Sequence, residues 1–539
     1  MFGLVKSSEA TTYYVCDTGT TCGSGWSTGN DSNACTSKSE PCKTIPGGIG
    51  KMSGGDTLII GNGTYSGTGN YINNPPSGSS SAYTMIQAEN DGYVILSGGS
   101  SSFPLVNMEG NATIDGHAGS GSSARQYIKL QGIVAQNSSY ANFYVSNARY
   151  IKLIHCGSTD AADGNNAGIN IQYSEYVLVE GCYAWGAGRY KMLFYHTHYS
   201  IMRNNVIRHD YANSASMPIA GYTLYSSTNV EVQNCIDVDS DTRQWFNYDE
   251  LAGSFSCPTT SGTSYSGSIN FNNCIALNTK YKFGQSDKNA YAANVFWTNS
   301  VGWQTQMEDS NAFIISFGKA TIDKCTFGNV SKDNYTGAYY NDYFNGWGGQ
   351  SPHIVQNSIL YNFNSGDPIF EYYASTYNDI YACGTLDAGS STISNTRTNN
   401  PLTNGLLYLP RIESGSYLTT AGASGGMIGA NIIYQYGKSG TLWGEPGYNL
   451  LQDGTNGQAV VKMWPFPNED LIKTKMAAYN NHGVNGARGF AGPENDQWGQ
   501  PITLTRYIWQ YLGNKIPDDI YGSSGDTTPP AAPKGLKIN

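Results

Sequence analysis

The sequence predicts an all-β protein wound into a parallel β-helix, a single solenoid, and three observations carry that prediction. The first is a repeat. Ala148–Cys156 and Ser174–Cys182 share a pattern of two apolar residues two apart, followed three positions later by a small or polar residue. The pattern returns in blocks ending at Asn205, Cys235, Cys274, Ser300, Cys325 and Ser358, with spacings between 23 and 39 residues. A unit with a fixed floor and elastic insertions is the signature of a solenoid. The second observation is periodicity: the blocks alternate apolar and polar with no 3.6-residue stripe, so each turn is made of short strands. The third is a column, Leu153, Val179, Met202, Val232, Phe271, Trp297, Ile322 and Val355, apolar in every block and therefore facing a core. The file that follows it, from Cys156 to Ser358, reads as an internal ladder at a bend, where small side chains serve neighbouring backbone groups. Its cysteines are read as buried thiols, because successive turns ~5 Å apart do not bring four ligands to one metal.

Composition bounds the function. Only 13% of the 539 residues are charged, glycine and tyrosine number 65 and 41, and the net charge is −10. That balance argues against nucleic acid as a partner. No run of 18 apolar residues exists to span a membrane. Cys16, Cys22, Cys35 and Cys42 lie in a Gly/Ser/Thr/Asn-rich stretch and read as two disulfides with three possible pairings. Their C-x5-C and C-x6-C spacings are wide for a zinc knuckle. Disulfides point to an oxidising compartment. Met1–Tyr14 lacks the regions of a secretory leader, so either the protein stays inside or the numbering begins after a removed leader; the cysteines favour the second, and an extracellular or cell-surface protein is expected.

In chain order, residues 1–65 form an N-terminal cap and first turn, with Thr57–Ile60 as a strand between the turns at Gly55-Asp56 and Asn62-Gly63. Tyr13-Tyr14-Val15, Gly25 to Asn33, Pro41-Cys42-Lys43-Thr44-Ile45, Gly55–Ile60 and Gly63-Thr64-Tyr65 together make an opening that resembles secreted right-handed parallel β-helix proteins. These include pectate-lyase-like and alginate-lyase-like polysaccharide lyases. The resemblance covers the first 65 residues and implies a capped right-handed coil and, by extension, action on polysaccharide. Residues 66–440 are assigned to the coil, with strands at Tyr83–Ala88, Tyr93–Leu96, Ala112–Ile114 and Tyr127–Gln131 ahead of the clear repeats. Residues 441–522 hold loops and one amphipathic helix, Leu504–Leu512, expected to cap the far end. Residues 523–539 form a stiff Pro-rich tail.

Chemistry is expected on the outside of the coil. Placing Ile169/Ile171, Met192/Phe194 and Tyr222/Leu224 inside leaves Lys191, Tyr195 and Tyr225 outside, Lys191 uncrowded between Gly168 and Gly221. The loops beside them supply the densest mixed-charge set in the chain: Asp160, Asp163, Arg189, Arg208, His209, Asp210, Asp237, Asp239, Asp241 and Arg243. A polysaccharide lyase needs a neutraliser for the uronate carboxylate, a base for the C5 proton and flanking subsites. Lys191 or Arg208 is the candidate base, and Arg189 and Arg243 are bidentate carboxylate holders. Asp237, Asp239 and Asp241, with Asp210 or Asp160, make a possible calcium site. Tyr195, Tyr225 and Trp185 are stacking residues, with His209 beside them in the groove. His196 and His198 read as stacked on Tyr173 and Glu175, and Tyr150, Tyr176 and Tyr199 as an aromatic stack. The leading expectation is a secreted carbohydrate-active lyase on acidic polysaccharide. A non-catalytic glycan-binding surface protein and a self-assembling structural subunit are the alternatives.

Overall fold

Period-two alternation broken by a bend every few residues is what builds the coil. The computed structural model describes residues 10–521 apart from 68, 100–102, 163–165, 212–219, 242, 249–266, 281–282, 287–293, 308–312, 317–318, 333–342, 347–352, 365–366, 388 and 390. Cys257, which the sequence leaves able to pair with Cys383 or stay free, Asp163 and the Pro-rich tail therefore lie outside the described residues. One turn consists of a strand on a first sheet (Glu175–Glu180), a bend, a strand on a second sheet (Tyr183–Trp185), a loop and a strand on a third sheet (Tyr190–Tyr195). The chain then bends back to Ser200–Arg203, which pairs in parallel with the strand it left. Repetition gives parallel sheets of 14, 12 and 11 strands among the described residues.

The predicted apolar column is one register line, Leu153 opposite Val179, then Met202, Val232, Phe271, Trp297, Ile322 and Val355. All eight side chains are buried, and Phe271 stacks on Trp297 with centroids 3.7 Å apart. The ladder behind it is buried throughout. The Cys156 N–H donates to Cys182 Sγ (3.3 Å), the Cys182 N–H to Asn205 Oδ1 (2.8 Å) and the Cys325 N–H to Ser358 Oγ (3.0 Å). It runs one turn beyond the predicted blocks, since the Ser358 N–H donates to Asn378 Oδ1 (2.8 Å). A second hydroxyl ladder, Ser174, Thr197 and Ser227, does the same work where the third sheet returns to the first.

Bending the chain ahead of each ladder residue requires a left-handed backbone. His155, Gly181, Asn204, Asn234, Asn273, Asn299, Lys324 and Asn357 all have φ between +48° and +64°. Asparagine tolerates that region better than most residues, which explains why it fills five of the eight positions.

At the N-terminal end, Thr12–Val15 adds a strand outside Thr57–Ile60. The short helix Ile45–Ile49, capped by the Thr44 side chain, packs against Val15 and Leu58. The disulfides pair Cys16 with Cys22 and Cys35 with Cys42, and the ladder cysteines are free and buried.

The C-terminal segment departs from expectation. After the coil the chain turns back and runs along it in the reverse direction: Gly429 bonds to Asn357, Asn431 to Asn299, Tyr434 to Asn273, Tyr436 to Asn234 and Gly440 to Glu180. It buries a second apolar core against the outer face of the second sheet, including Tyr183, Trp185, Val206, Trp303, Trp464, Phe490 and Trp509. The predicted helix is shorter, Leu504–Trp509. It sits on this flank with Tyr507 on Asp239 rather than over the end of the coil, because its buried stripe matches the outer face of the second sheet. At ~1.5–3 kcal/mol for each buried Leu- or Phe-sized side chain, this cover is a permanent part of the fold.

Candidate functional site

The charged cluster singled out from the sequence lies largely beneath that cover. Arg208 is fully buried, 2.7 Å from Asp210, and donates to the Gly486 carbonyl (2.9 Å). Asp160 accepts from the Tyr479 hydroxyl (2.8 Å) and the Asn481 amide (2.9 Å). Asp239 accepts from the Phe490 N–H (3.0 Å) and the Tyr507 hydroxyl (2.8 Å), and Arg488 spans Asp210 and Asp241 at 3.0 Å each. What survives of the groove is a polar cleft of about 100 Å³ between Asp241, Lys280, Gln304, Gln306 and Arg488. Trp185 is buried in the covered face, stacked on Tyr183.

Lys191 does not project outward as expected. It is 1% exposed, with Nζ donating to the Gly186 and Gly188 carbonyls at 2.5 and 3.1 Å. Its column points into the coil. A Cβ built on Gly168, the register neighbour, would sit 2.6 Å from Ser158 Oγ, and Ser158 shares its row with the interior residues Ala135 and Ala184. Tyr190, not Lys191, faces outward here, packed with Ala167, Leu193, Ala220 and Tyr225. Strict alternation fails because two consecutive residues, Lys191 and Met192, turn inward at the corner where the strand begins. The expected accessible base is therefore an interior ammonium. Beside it burial, reinforced by that ammonium, pushes the His209 imidazole well below its ordinary value. His209 Nε2 meets the Arg189 carbonyl (3.3 Å), and the Arg189 guanidinium lies over Tyr190. The Arg243 side chain lies outside the described residues.

The five carboxylates do not fit calcium. Asp237 sits on the inner row between Ile207 and Ala276, takes the Ser240 hydroxyl, and is pushed well above the carboxylate range by burial. Asp239 has φ +56°, so the chain turns between the two and the expected shared face is lost. Calcium needs six to eight converging oxygens, and among the described residues no group of three or more His, Cys, Asp or Glu side chains is placed to hold a metal.

The third sheet presents a different surface. Its outward rows are Asn107, Tyr144, Asn170, Leu193 and Thr223, and beside them Glu109, Ser146, Gln172, Tyr195 and Tyr225. Asn107, Glu109, Tyr144, Gln172 and Tyr195 keep solvent contact, while Tyr225 is buried against Tyr190. At the rim, where this sheet bends to the first, His117, Tyr173 and His196 stack with centroids 3.9 and 4.9 Å apart. Stacking of His196 on Tyr173 matches expectation. The carboxylate between the histidines does not: Asp115 Oδ2 lies 2.9 Å from His196 Nδ1 and 2.7 Å from His198 Nε2. Burial alone would raise Asp115, but these two hydrogen bonds hold it well below the usual range. Asp115 comes from a two-residue hairpin turn between Thr113–Ile114 and His117–Ala118, 81 residues before His196. No local pattern announces that pairing.

The tyrosine file is longer than expected: Tyr127, Tyr150, Tyr176 and Tyr199 stack at 4.6, 4.9 and 5.5 Å, closed by the Trp443 edge. Each ring covers its neighbour's face, so this file is structural.

A family model described as a right handed beta helix region matches residues 89–244. The coil is a right-handed parallel β-helix. Among solved structures, a pectate lyase is similar at 16% identity over 81% of this chain and 94% of its own, with a TM-score of 0.39. A mannuronan C-5 epimerase A-module from Azotobacter vinelandii is similar at 11% identity over 65% and 92%, with a TM-score of 0.40. The N-terminal fragment of gene product 12 from bacteriophage Phi29 is similar at 11% over 64% and 66%, with a TM-score of 0.42. No curated protein matches the chain. In this β-helix no described helix is long and apolar enough to cross a membrane.

Proposed function

We propose that the protein binds a polysaccharide along the outer face of the third sheet and cleaves it by β-elimination. One observation carries the reading. The C-terminal segment packs on the second sheet, while the third keeps polar and aromatic side chains, Asn107, Tyr144, Gln172 and Tyr195, in contact with solvent on successive turns. Turns ~4.8 Å apart repeat at a length comparable with one sugar residue, so an extended glycan meets a solvent-contacting amide or tyrosine on each of four successive turns, in one or the other of two adjacent rows. Amide side chains suit sugar hydroxyls, and tyrosine rings suit the apolar faces of pyranoses.

Binding without turnover is the second reading, favoured by the burial of Lys191 and Arg208, the two residues expected to serve as the base. Incubation with pectate, alginate and glycosaminoglycans, with and without calcium, separates the two through the ultraviolet absorbance of the unsaturated product. Affinity electrophoresis on the same polymers reads binding alone. Tyr144→Ala and Tyr195→Ala are each expected to weaken retention about tenfold, ~1.4 kcal/mol. Wild-type protein that neither binds nor cleaves any of these polymers ends the proposal.

A further inference from the structure

We propose that His196 is the proton-transfer residue of this surface, oriented by Asp115, with His198 as a positioning residue. The assignment rests on the glycan reading of the third sheet for its substrate, and on hydrogen-bond geometry for its site. The Thr228 backbone N–H donates to His198 Nδ1 (3.1 Å). With Nδ1 accepting from this N–H, and the Thr228 hydroxyl 3.0 Å away placed to donate to it as well, the ring proton sits on Nε2, which donates to Asp115 (2.7 Å). His196, whose side chain keeps 8% exposure where Lys191 and Arg208 keep almost none, faces the same carboxylate oxygen through Nδ1 (2.9 Å). That nitrogen carries the proton, which leaves Nε2 as the basic one. A carboxylate behind Nδ1–H fixes the ring, selects the tautomer and stabilises the imidazolium that forms when Nε2 takes a proton.

The surroundings suit an acidic sugar. His196 lies edge-on to Tyr195 (4.6 Å between centroids), one of the solvent-contacting residues of the third sheet. Glu175 bridges in register to His198 and holds Arg149 at 2.7 Å, and the Arg149 side chain is 40% exposed. It offers a uronate carboxylate a cation at this corner. In the step assigned here, His196 Nε2 takes the C5 proton of the uronate. The electron pair left behind forms the C4–C5 double bond as the bond from C4 to the glycosidic oxygen breaks. The departing oxygen takes a proton from water, and His196 returns its own proton to the hydroxide so formed.

Two measurements test this on the full chain. Long-range nitrogen–proton correlation spectra of protein labelled with nitrogen-15 at its seven histidines are expected to show His196 protonated on Nδ1 and His198 on Nε2. Assignment comes from His196→Gln and His198→Gln. His196 protonated on Nε2 overturns the proposal. On whichever uronate polymer wild type cleaves, His196→Gln is expected to lower kcat about 100-fold with KM and circular dichroism unchanged. Asp115→Asn is expected to move the pH profile of kcat as well as its height. Turnover within threefold of wild type in His196→Gln overturns the role. Binding without product in wild type overturns it too, and leaves the glycan reading standing. Absence of binding removes that reading and this proposal together.

Discussion

Asn234 clamps the coil to the segment that runs back along it through both the N–H and the carbonyl of Tyr436, and replacing it gives a calculable loss. Its Nδ2 donates to Asn204 Oδ1 (2.9 Å) and to the Tyr436 carbonyl (2.9 Å). Its Oδ1 accepts from the Tyr436 N–H (2.9 Å) and from Asn273 Nδ2 (3.1 Å). Four hydrogen bonds at roughly 0.5–1.5 kcal/mol each put the loss in Asn234→Ala at about 2–6 kcal/mol. Holding alanine at φ +55° adds about 1 kcal/mol. Asn234→Gly loses the same bonds without that backbone cost, so it is expected to be the milder change by about 1 kcal/mol. Solenoids unfold in segments, so the sensitive measurement is native-state hydrogen exchange rather than one global midpoint. The Tyr436 amide is expected to lose about two orders of magnitude of protection in Asn234→Ala, with less change at Val179 and Leu153. Unchanged protection at Tyr436 refutes the clamp. An alanine variant as stable as the glycine variant refutes the backbone argument.

Three further predictions follow from buried ionisable groups. Burial pushes Glu231 up to about 7, against hydrogen bonds from Gln233, Asn270 and Asn272. A raised folded-state value means that its contribution is complete below about 4.5 and is lost as pH rises through 7. Thermal stability is expected to fall by roughly 3 kcal/mol equivalent across that window, and Glu231→Gln is expected to flatten the pH dependence measured by calorimetry. Arg208→Met leaves Asp210 partly unpaired in a dry site and is expected to cost about 3–5 kcal/mol. The double variant Arg208→Met/Asp210→Asn is expected to recover part of that loss in thermal unfolding; a double variant no better than the single one shows that the ion pair is not the cause. Burial pushes Cys235 up to about 12 and raises Cys274 well above the ordinary thiol value. In a Cys257→Ser/Cys383→Ser background the ladder thiols are expected to ignore Ellman's reagent at pH 8 until denaturant is added, and prompt labelling contradicts the ladder's burial.

Much of the coil was legible because its rules are local. Leu153 to Val355 could be read as one apolar file, and Cys156 to Ser358 as one ladder, since every turn repeats the same steric and hydrogen-bonding problem within a few residues. The asparagines at Asn204, Asn234, Asn273, Asn299 and Asn357 were equally visible, each one position ahead of the ladder. Their meaning came only from the left-handed backbone and the partners across from them. Lys191 failed for a reason of the same scale: a corner interrupts alternation, and period-two reasoning holds only inside a strand. Asp239 failed alike, its positive φ breaking the face it was to share with Asp237.

The amino-acid sequence by itself determined the strand period, the bends, the interior files and the cysteine-rich start, because each is set by side-chain pattern and backbone preference within one turn. Tertiary structure alone decided which outer face is covered and which charges are buried and paired. Arg208 meets Gly486, and Asp239 meets Tyr507, across more than 250 residues, and Asp115 reaches His196 from a separate hairpin. Desolvation and charge pairing depend on what lies nearby in space, and no local period records that.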